Sequence, residues 1–280
     1  MRFAKYHGIG NDFVMIADPH DELTLSQDQV RALADRRFGV GGDGVIRVAP
    51  GRDQGDFFMD YVNSDGSIGE MCGNGIRCLA LFAQAEGLTD KNDLLIETRA
   101  GLMKLQVFGD TVRVDMGAPI FEAARIPVEI EEADPLHAKL QTEQGMVEAA
   151  CLSMGNPHAV LFVDDPLTAP VTTLGPVIEN HTAFPNKVNV EFAVVEAPDR
   201  VRMRVWERGS GETLACGTGA AAVAVASRLL GGVEPKMTIV LPGGELELEW
   251  QGSVEDEVPV YMTGPAVRSF DGELDLETYS

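Results

Sequence analysis

The chain has 280 residues, of which 45% are hydrophobic and 24% charged, and its formal net charge is −22. This acidity argues against binding to nucleic acid or to an anionic membrane surface, since both require clustered lysine and arginine. No apolar stretch reaches the roughly 18 residues of a membrane span, and the first residues do not resemble a secretion signal, so we expect a cytoplasmic protein.

Three segments are predicted to be helices. Ser26, with Gln29 three residues later, forms the pattern of a capping box and predicts a surface helix over Gln27–Arg37. A second helix is expected over Gly73–Glu86, and a third over Gly217–Leu230. The third is apolar on nearly every face, so it must be surrounded by other parts of the fold.

Most of the remaining pattern is typical of short strands. Residues 164–186 are rich in Pro, Thr and Asn and are expected to form a loop with one short helix, whereas residues 121–145 are weakly patterned. Alternating or β-branched runs predict strands over Leu94–Glu97, Leu102–Phe108, Thr111–Met116, Ala159–Val163, Val188–Val195, Val201–Val205, Met237–Leu241 and Glu245–Trp250.

The chain contains an internal repeat. Cys72–Gly75 and Cys216–Gly219 both read C-G-x-G, lie 144 residues apart, and each opens an alanine-rich helix. Gly10–Asn11 and Gly155–Asn156 match at almost the same offset, 145 residues. Two matches at one offset predict an α/β (α+β) fold of two pseudo-symmetric domains, each a strongly curved or barrel-like sheet wrapped round a buried central helix.

We place the two domains at residues 1–118, with Cys72, and 119–262, with Cys216. The C-terminal strand, within residues 263–280, is expected to return to the first domain.

Two of the four cysteines stand out. Cys78 and Cys151 are interpreted as small buried hydrophobic residues, and without a C-x-x-C pair no metal site is expected. Cys72 and Cys216 each begin a helix, where the partial positive charge should stabilise a thiolate and lower the thiol pKa. Two such helix N-termini facing each other would hold the carboxylate of an amino-acid substrate and put one cysteine sulfur on each face of its α-carbon. One thiolate and one thiol could then invert that carbon without pyridoxal phosphate or another cofactor.

Several motifs resemble diaminopimelate epimerases, in order and spacing, over most of the chain. They are Lys5–Phe13, Asn63–Gly66 followed by Glu70–Cys78, Gly155–His158, and Glu207–Gly209 followed by Cys216–Gly219. The resemblance implies an isomerase that interconverts LL- and meso-diaminopimelate for lysine and peptidoglycan precursor synthesis. It also implies the two-domain fold described above and a homodimer.

The resemblance also implies roles for individual residues. Cys72 and Cys216 match the acid–base pair, and Glu207 and His158 match polar groups that set the protonation of the cysteines. The remaining matched positions contact the substrate: Asn11 at the reacting end, the Gly73, Asn74, Gly217 and Thr218 backbone around the reacting carboxylate, and Asn63, Asn156, Asn189 and Arg208 around the distal end. Arg208 suits a carboxylate because its guanidinium can bind both oxygens.

One position departs from the family pattern, and three alternatives stay open. Some members have glutamine where this chain has Gly44, so a side-chain contact at the reacting end of the substrate would be lost or supplied by water. A proline or hydroxyproline racemase shares the two-cysteine chemistry, but its small substrate has no second amino-acid end. A phenazine-biosynthesis isomerase lacks the cysteine pair. A non-enzymatic amino-acid binding protein would need no cysteines at all.

Overall fold

The structure is a computed structural model that describes residues 1–131 and 134–279; Ser280, at the end of the expected C-terminal strand segment, lies outside that range. The chain divides into two compact units. Unit 1 comprises Met1–Val114 together with Thr263–Ser280, and unit 2 comprises Asp115–Met262. Within the described residues, no helix is long and apolar enough to cross a membrane.

Unit 1 is a mixed sheet with two helices. Its first strand, β1, pairs antiparallel with both β2 and β17, the strand closest to the C-terminus. The elements are β1 (Arg2–Gly8), β2 (Asn11–Ala17), α1 (Gln27–Ala34), β3 (Gly44–Pro50), β4 (Phe57–Asn63), α2 (Gly73–Ala85), β5 (Asp93–Thr98), β6 (Gly101–Phe108), β7 (Thr111–Asp115) and β17 (Val267–Glu273).

Unit 2 is built in the same way. Its elements are β8 (Ala138–Thr142), β9 (Gly145–Ser153), β10 (Pro157–Phe162), α3 (Val171–Glu179), β11 (Asn189–Ala197), β12 (Arg200–Glu207), β13 (Gly211–Thr213), α4 (Gly217–Leu230), β14 (Lys236–Leu241), β15 (Gly244–Glu249) and β16 (Tyr261–Pro265), the last running across the boundary between the units.

The pairing of strands shows that the two units are topological copies. From β1 to β6, successive neighbours pair antiparallel, parallel, antiparallel, parallel and antiparallel. The series β9, β10, β11, β12, β14 and β15 follows the same sequence of directions. The parallel steps need crossover connections, and a helix lies in each: α1 and α2 in unit 1, α3 and α4 in unit 2. The predicted repeat and fold class are confirmed.

The central helix of unit 2 is enclosed by its sheet. Helix α4 contacts β9, β10, β11, β12, β14 and β15, and every residue from Gly219 to Ser227 is buried. This confirms the prediction that an all-round apolar helix must be surrounded. In unit 1, α2 contacts β1, β2, β3 and β6 in the equivalent way.

Most predicted elements agree with the structure, and α1 shows one error. Ser26 caps this helix through the expected capping box with Gln29, but the helix ends at Ala34 rather than Arg37. Asp35 already has extended backbone angles, and the Arg36 guanidinium pairs with Asp12 at 2.7 Å. All the predicted strands are present to within two residues, whereas β1 to β4, β8, β9, β13 and β16 were not predicted.

Candidate active site

Both C-G-x-G cysteines are the N-cap residues of the central helices. Cys72 caps α2 with φ −139° and ψ 116°, and Cys216 caps α4 with φ −128° and ψ 112°. Each sulfur accepts a hydrogen bond from the third helical amide, that of Gly75 at 3.5 Å or Gly219 at 3.4 Å. The first amides of a helix have no acceptor inside it, so the start of each central helix is a place that suits an anion beside the sulfur.

Asn11 and Asn74 lie against Cys72. The Asn11 side-chain oxygen accepts hydrogen bonds from the Cys72 sulfur at 3.4 Å and from the Asn74 amide at 3.2 Å. The Asn11 amide donates to Asp43 at 2.6 Å, which fixes which end of the side chain faces the sulfur. Three residues predicted from the sequence are therefore brought together here, and Asp43 is an additional one.

Arg77 is a charged group that the sequence analysis missed. It lies on α2, is fully buried, and donates to the Gly73 carbonyl at 3.0 Å and to the Asn74 side-chain oxygen at 2.9 Å. Burial lowers the pKa of Arg77, and the charges of Cys78 and Cys72 oppose that change. The charge of Arg77 acts in favour of a Cys72 thiolate, whereas the Asn11 oxygen, which accepts from the Cys72 sulfur, acts in favour of the thiol.

Cys216 has the opposite electrostatic environment. Burial raises the pKa of the Cys216 thiol well above its usual value, and the charges of Glu207 and Glu191 raise it further. Hydrogen bonds from Thr218 and the Gly219 amide only partly offset this increase. The expectation that a helix N-terminus lowers the thiol pKa is therefore wrong for Cys216, because desolvation and two carboxylates outweigh the helix end.

Glu207 itself is held beside the sulfur. Burial raises the pKa of Glu207, while hydrogen bonds from Thr213 and Cys216 act to lower it. Its carboxylate accepts a hydrogen bond from the Thr213 hydroxyl. Glu207 is thus a carboxylate whose charge acts on the Cys216 thiol.

His158 belongs to a buried chain of polar groups that leads to Thr218. Its Nε2 lies 3.0 Å from the side-chain oxygen of Asn156, whose amide donates to the Thr218 hydroxyl at 3.3 Å. Its Nδ1 lies 2.7 Å from Glu191, and both residues are fully buried. Glu191 was not predicted, because a glutamate inside an apolar strand gives no sequence signal of its contact with a histidine on the neighbouring strand.

Asn189 and Arg208 form a separate pair at the ends of β11 and β12. The Asn189 side chain accepts a hydrogen bond from the Arg208 backbone amide at 2.9 Å and donates to the Pro157 carbonyl at 3.2 Å. The Arg208 side chain is exposed and donates to the Asn186 carbonyl at 3.1 Å. Among the described residues no carboxylate pairs with this guanidinium, so it can receive one from a ligand.

Comparison with known proteins now decides the family. The model of the family described as "Diaminopimelate epimerase" matches residues 3–122 and 150–269. The diaminopimelate epimerase of Thioalkalivibrio sulfidiphilus (strain HL-EbGR7) is 49% identical over 279 residues, covering 99% of both chains. That of Heliobacterium modesticaldum (strain ATCC 51547 / Ice1) is 46% identical over 286 residues, covering 99% of this chain and 100% of the relative.

The chain belongs to the diaminopimelate epimerase family.

Solved structures show how widely the fold is shared. A probable proline racemase from Agrobacterium radiobacter K84 aligns with a TM-score of 0.72 and 16% identity, covering 98% of this chain and 93% of that one. A phenazine biosynthesis protein of the PhzF family from Bacillus anthracis aligns with a TM-score of 0.69 and 17% identity, covering 98% and 99%. At this level of identity the likeness establishes the fold alone.

Strand register relates the polar residues of this diaminopimelate epimerase family member across the repeat. In unit 1, Gly44 pairs with Asn63 across β3 and β4, and in unit 2 the pair Val190 and Trp206 adjoins Asn189 and Glu207 at the same end of β11 and β12. Asn63 and Glu207 therefore occupy equivalent positions, each at the last residue of its strand and nine residues before its cysteine. Both units therefore have a polar residue at this position, which is an amide in unit 1 and a carboxylate in unit 2.

Proposed function

We propose that this protein interconverts LL- and meso-diaminopimelate by removing the α-proton at one face of the carbon and returning a proton at the other. The observation that carries the proposal is the pair of N-cap cysteines in equivalent helices, within a chain that belongs to the diaminopimelate epimerase family. The reaction belongs to lysine and peptidoglycan precursor synthesis.

The two cysteines are assigned different resting forms. Cys216 is buried beside two carboxylates that favour the neutral thiol, whereas a Cys72 thiolate, once the sulfur no longer donates to Asn11, is stabilised by the nearby buried guanidinium of Arg77. Cys72 then acts as the base on the LL isomer and Cys216 donates the returning proton, with the roles exchanged in the reverse direction. Because two sulfurs provide both proton transfers, the reaction needs no pyridoxal phosphate or metal.

The backbone at the start of each central helix is proposed to bind the reacting carboxylate. Gly73 and Asn74 hold the first two helical positions of α2, and Gly217 and Thr218 hold those of α4. Their amides and the helix dipoles stabilise the negative charge that accumulates on the carboxylate when the α-proton leaves. The Asn11 side-chain oxygen, already a hydrogen-bond acceptor for Cys72, is proposed to contact the substrate at this end.

The distal amino-acid end is assigned to Arg208, Asn63, Asn156 and Asn189. The exposed guanidinium of Arg208 offers a bidentate site for the distal carboxylate, and the asparagines offer both donors and acceptors. A substrate with a second amino-acid end uses these groups, whereas proline does not reach them. This favours diaminopimelate over proline or hydroxyproline as the substrate.

His158 and Glu207 are proposed to control the protonation of Cys216. Glu207 contacts the sulfur directly, and His158 acts through Asn156 and Thr218. We also propose that the protein acts as a homodimer and is located in the cytoplasm, where the reducing environment keeps both thiols free.

The proposal is tested with purified, reduced protein and no added cofactor. LL-diaminopimelate, L-proline and trans-4-hydroxyproline are incubated in parallel, and products are separated by chiral chromatography. Formation of meso-diaminopimelate with both prolines unchanged is expected. Epimerisation of a proline instead would preserve the two-cysteine chemistry and reject the substrate, and no reaction with any of the three would favour a binding protein.

A further inference from the structure

The end of β4 contains a buried tyrosine whose hydroxyl contacts a residue assigned to the substrate. Tyr61 is 8% exposed, and its hydroxyl donates to the side-chain oxygen of Asn63 at 2.5 Å. The two residues are separated by one position on the strand, so their side chains lie on the same face of the sheet. Tyr61 is absent from the site residues recognised in the sequence.

The ring of Tyr61 occupies space that two glycines leave open. A Cβ added to Gly44 would lie 2.6 Å from the ring atom Cε2, and one added to Gly69 would be closer still to Cδ1, on the opposite edge. On a third side, Phe13 packs edge-to-face against the ring with centroids 5.8 Å apart. The ring therefore has one available position, and its hydroxyl is directed at Asn63.

This packing gives Gly44 a physical explanation. The sequence suggested that a contact at position 44 would be lost or supplied by water. That expectation stays a prediction, but the Tyr61 ring lies where a side chain at 44 would begin, and the Val62 carbonyl is also 2.6 Å from an added Cβ. Gly44 pairs directly with Asn63 across the two strands, so a protein group next to Asn63 occupies the place.

A chain of hydrogen bonds fixes the direction of the Asn63 amide. The Ser67 hydroxyl donates to Asp65 at 2.5 Å, so Ser67 can only accept from the Asn63 amide, which lies 3.0 Å away. Hydrogen bonds from the side chain and backbone of Ser67 lower the pKa of Asp65, which keeps this carboxylate an acceptor. The Asn63 amide nitrogen therefore points one way, and its oxygen accepts from Tyr61 at the other end.

An Asn63 amide held in this orientation can donate a hydrogen bond to a ligand. One hydrogen of the Asn63 nitrogen is donated to Ser67, and the second can be donated to a ligand. The oxygen accepts from Tyr61 with one of its two lone pairs, and this bond keeps the amide nitrogen on the opposite side, where Asn63 acts as a donor. A donor suits a carboxylate and does not suit an ammonium group.

We propose that Tyr61 is a positioning residue for substrate binding: its hydroxyl holds Asn63 as a hydrogen-bond donor to the distal carboxylate of diaminopimelate. The absence of side chains at Gly44 and Gly69 leaves the space that the Tyr61 ring occupies. The inference rests on the proposed function and adds to it the residue that orients Asn63.

The test compares steady-state kinetics of wild type, Tyr61→Phe, Asn63→Ala and the double variant, in both reaction directions. Tyr61→Phe keeps the ring and removes the hydroxyl. Its KM for diaminopimelate is expected to rise about 3- to 10-fold, the effect of one lost neutral hydrogen bond, while kcat stays within about twofold because no group at the cysteines changes. Tyr6→Phe is the matched control: Tyr6 is buried in the same unit, packs on Phe82 and does not contact Asn63, so its KM should not change.

The double variant separates positioning from general stability. If Tyr61 acts through Asn63, adding Tyr61→Phe to Asn63→Ala should not raise KM further. An equal rise in both backgrounds, or an unchanged KM in the single variant, would overturn the inference while leaving the epimerase activity of wild type in place. Absence of epimerisation in wild type itself would instead overturn the proposed function, and this inference with it.

Discussion

Replacing Glu207 by glutamine should make Cys216 more reactive as a nucleophile at a given pH. In the native protein the Glu207 charge is one of the causes that raise the pKa of the Cys216 thiol. Glutamine has nearly the same shape and no charge, so this cause disappears while burial and Glu191 remain. Two unit charges about 4 Å apart, the reach of a hydrogen bond to sulfur, interact by about 1 kcal/mol in water and about 4 kcal/mol at an effective dielectric of 20. The thiolate population of Cys216 below its pKa should therefore increase by about fivefold to several hundredfold.

The increase can be measured as the rate of alkylation by iodoacetamide across the alkaline range. The experiment uses a Cys72→Ala background, and mass spectrometry assigns the label to Cys216; Cys78 and Cys151 are fully buried and should stay unmodified. Glu212→Gln is the control, since Glu212 is an exposed carboxylate on β13 paired with Arg204 at 2.7 Å. It removes the same charge from a position away from the sulfur.

The direction of the change in the alkylation rate decides whether the prediction holds. Faster alkylation in Glu207→Gln, with the Glu212→Gln rate close to that of the background, is the expected outcome. An unchanged or slower rate in Glu207→Gln, in protein that keeps its unfolding midpoint, would show that the Glu207 charge does not hold Cys216 in the thiol form.

Three further predictions concern other parts of the molecule. Ser26→Ala should lower the free energy of unfolding by about 1 kcal/mol in urea titrations, because it removes the cap of α1; no change would refute the capping role. Gly219→Ala should cost about 1–3 kcal/mol and slow turnover, because the new Cβ would lie 2.8 Å from the Glu191 carboxylate; a stable, fully active variant would contradict this packing. Cys72→Ala and Cys216→Ala should each abolish epimerisation in a chiral product assay, and a near-native rate in either would remove that cysteine from the mechanism.

Features encoded by local pattern could be predicted from the sequence. The all-round apolar character of Gly217–Leu230 predicted an enclosed helix, which the structure confirms. The two C-G-x-G segments predicted equivalent halves, and the matching strand directions of the two units agree. In each case the signal lies within a few consecutive residues or in a repeat of them.

Features created by contacts between strands could not be predicted. Glu191 approaches His158 from the next strand, and Tyr61 fits beside Gly44 only when β3 and β4 are in register. The pKa of Cys216 was expected to fall because the helix end is visible in the sequence, whereas burial and the approach of Glu191 are not. Local sequence reports a residue's own conformation, but its dielectric environment and its charged neighbours are determined by tertiary structure.

The central claim is that two separate groups carry the proton, one removing it and the other returning one. The direct test is the initial reaction of LL-diaminopimelate in D₂O, with deuterium at the α-carbon measured separately in the meso product and in the remaining LL substrate. With Cys72 as base and Cys216 as acid, deuterium should appear in the meso product while the unreacted LL substrate stays largely unlabelled. Equal deuterium in both pools from the earliest times would indicate a single base that both removes and returns the proton, and would contradict the two-cysteine account.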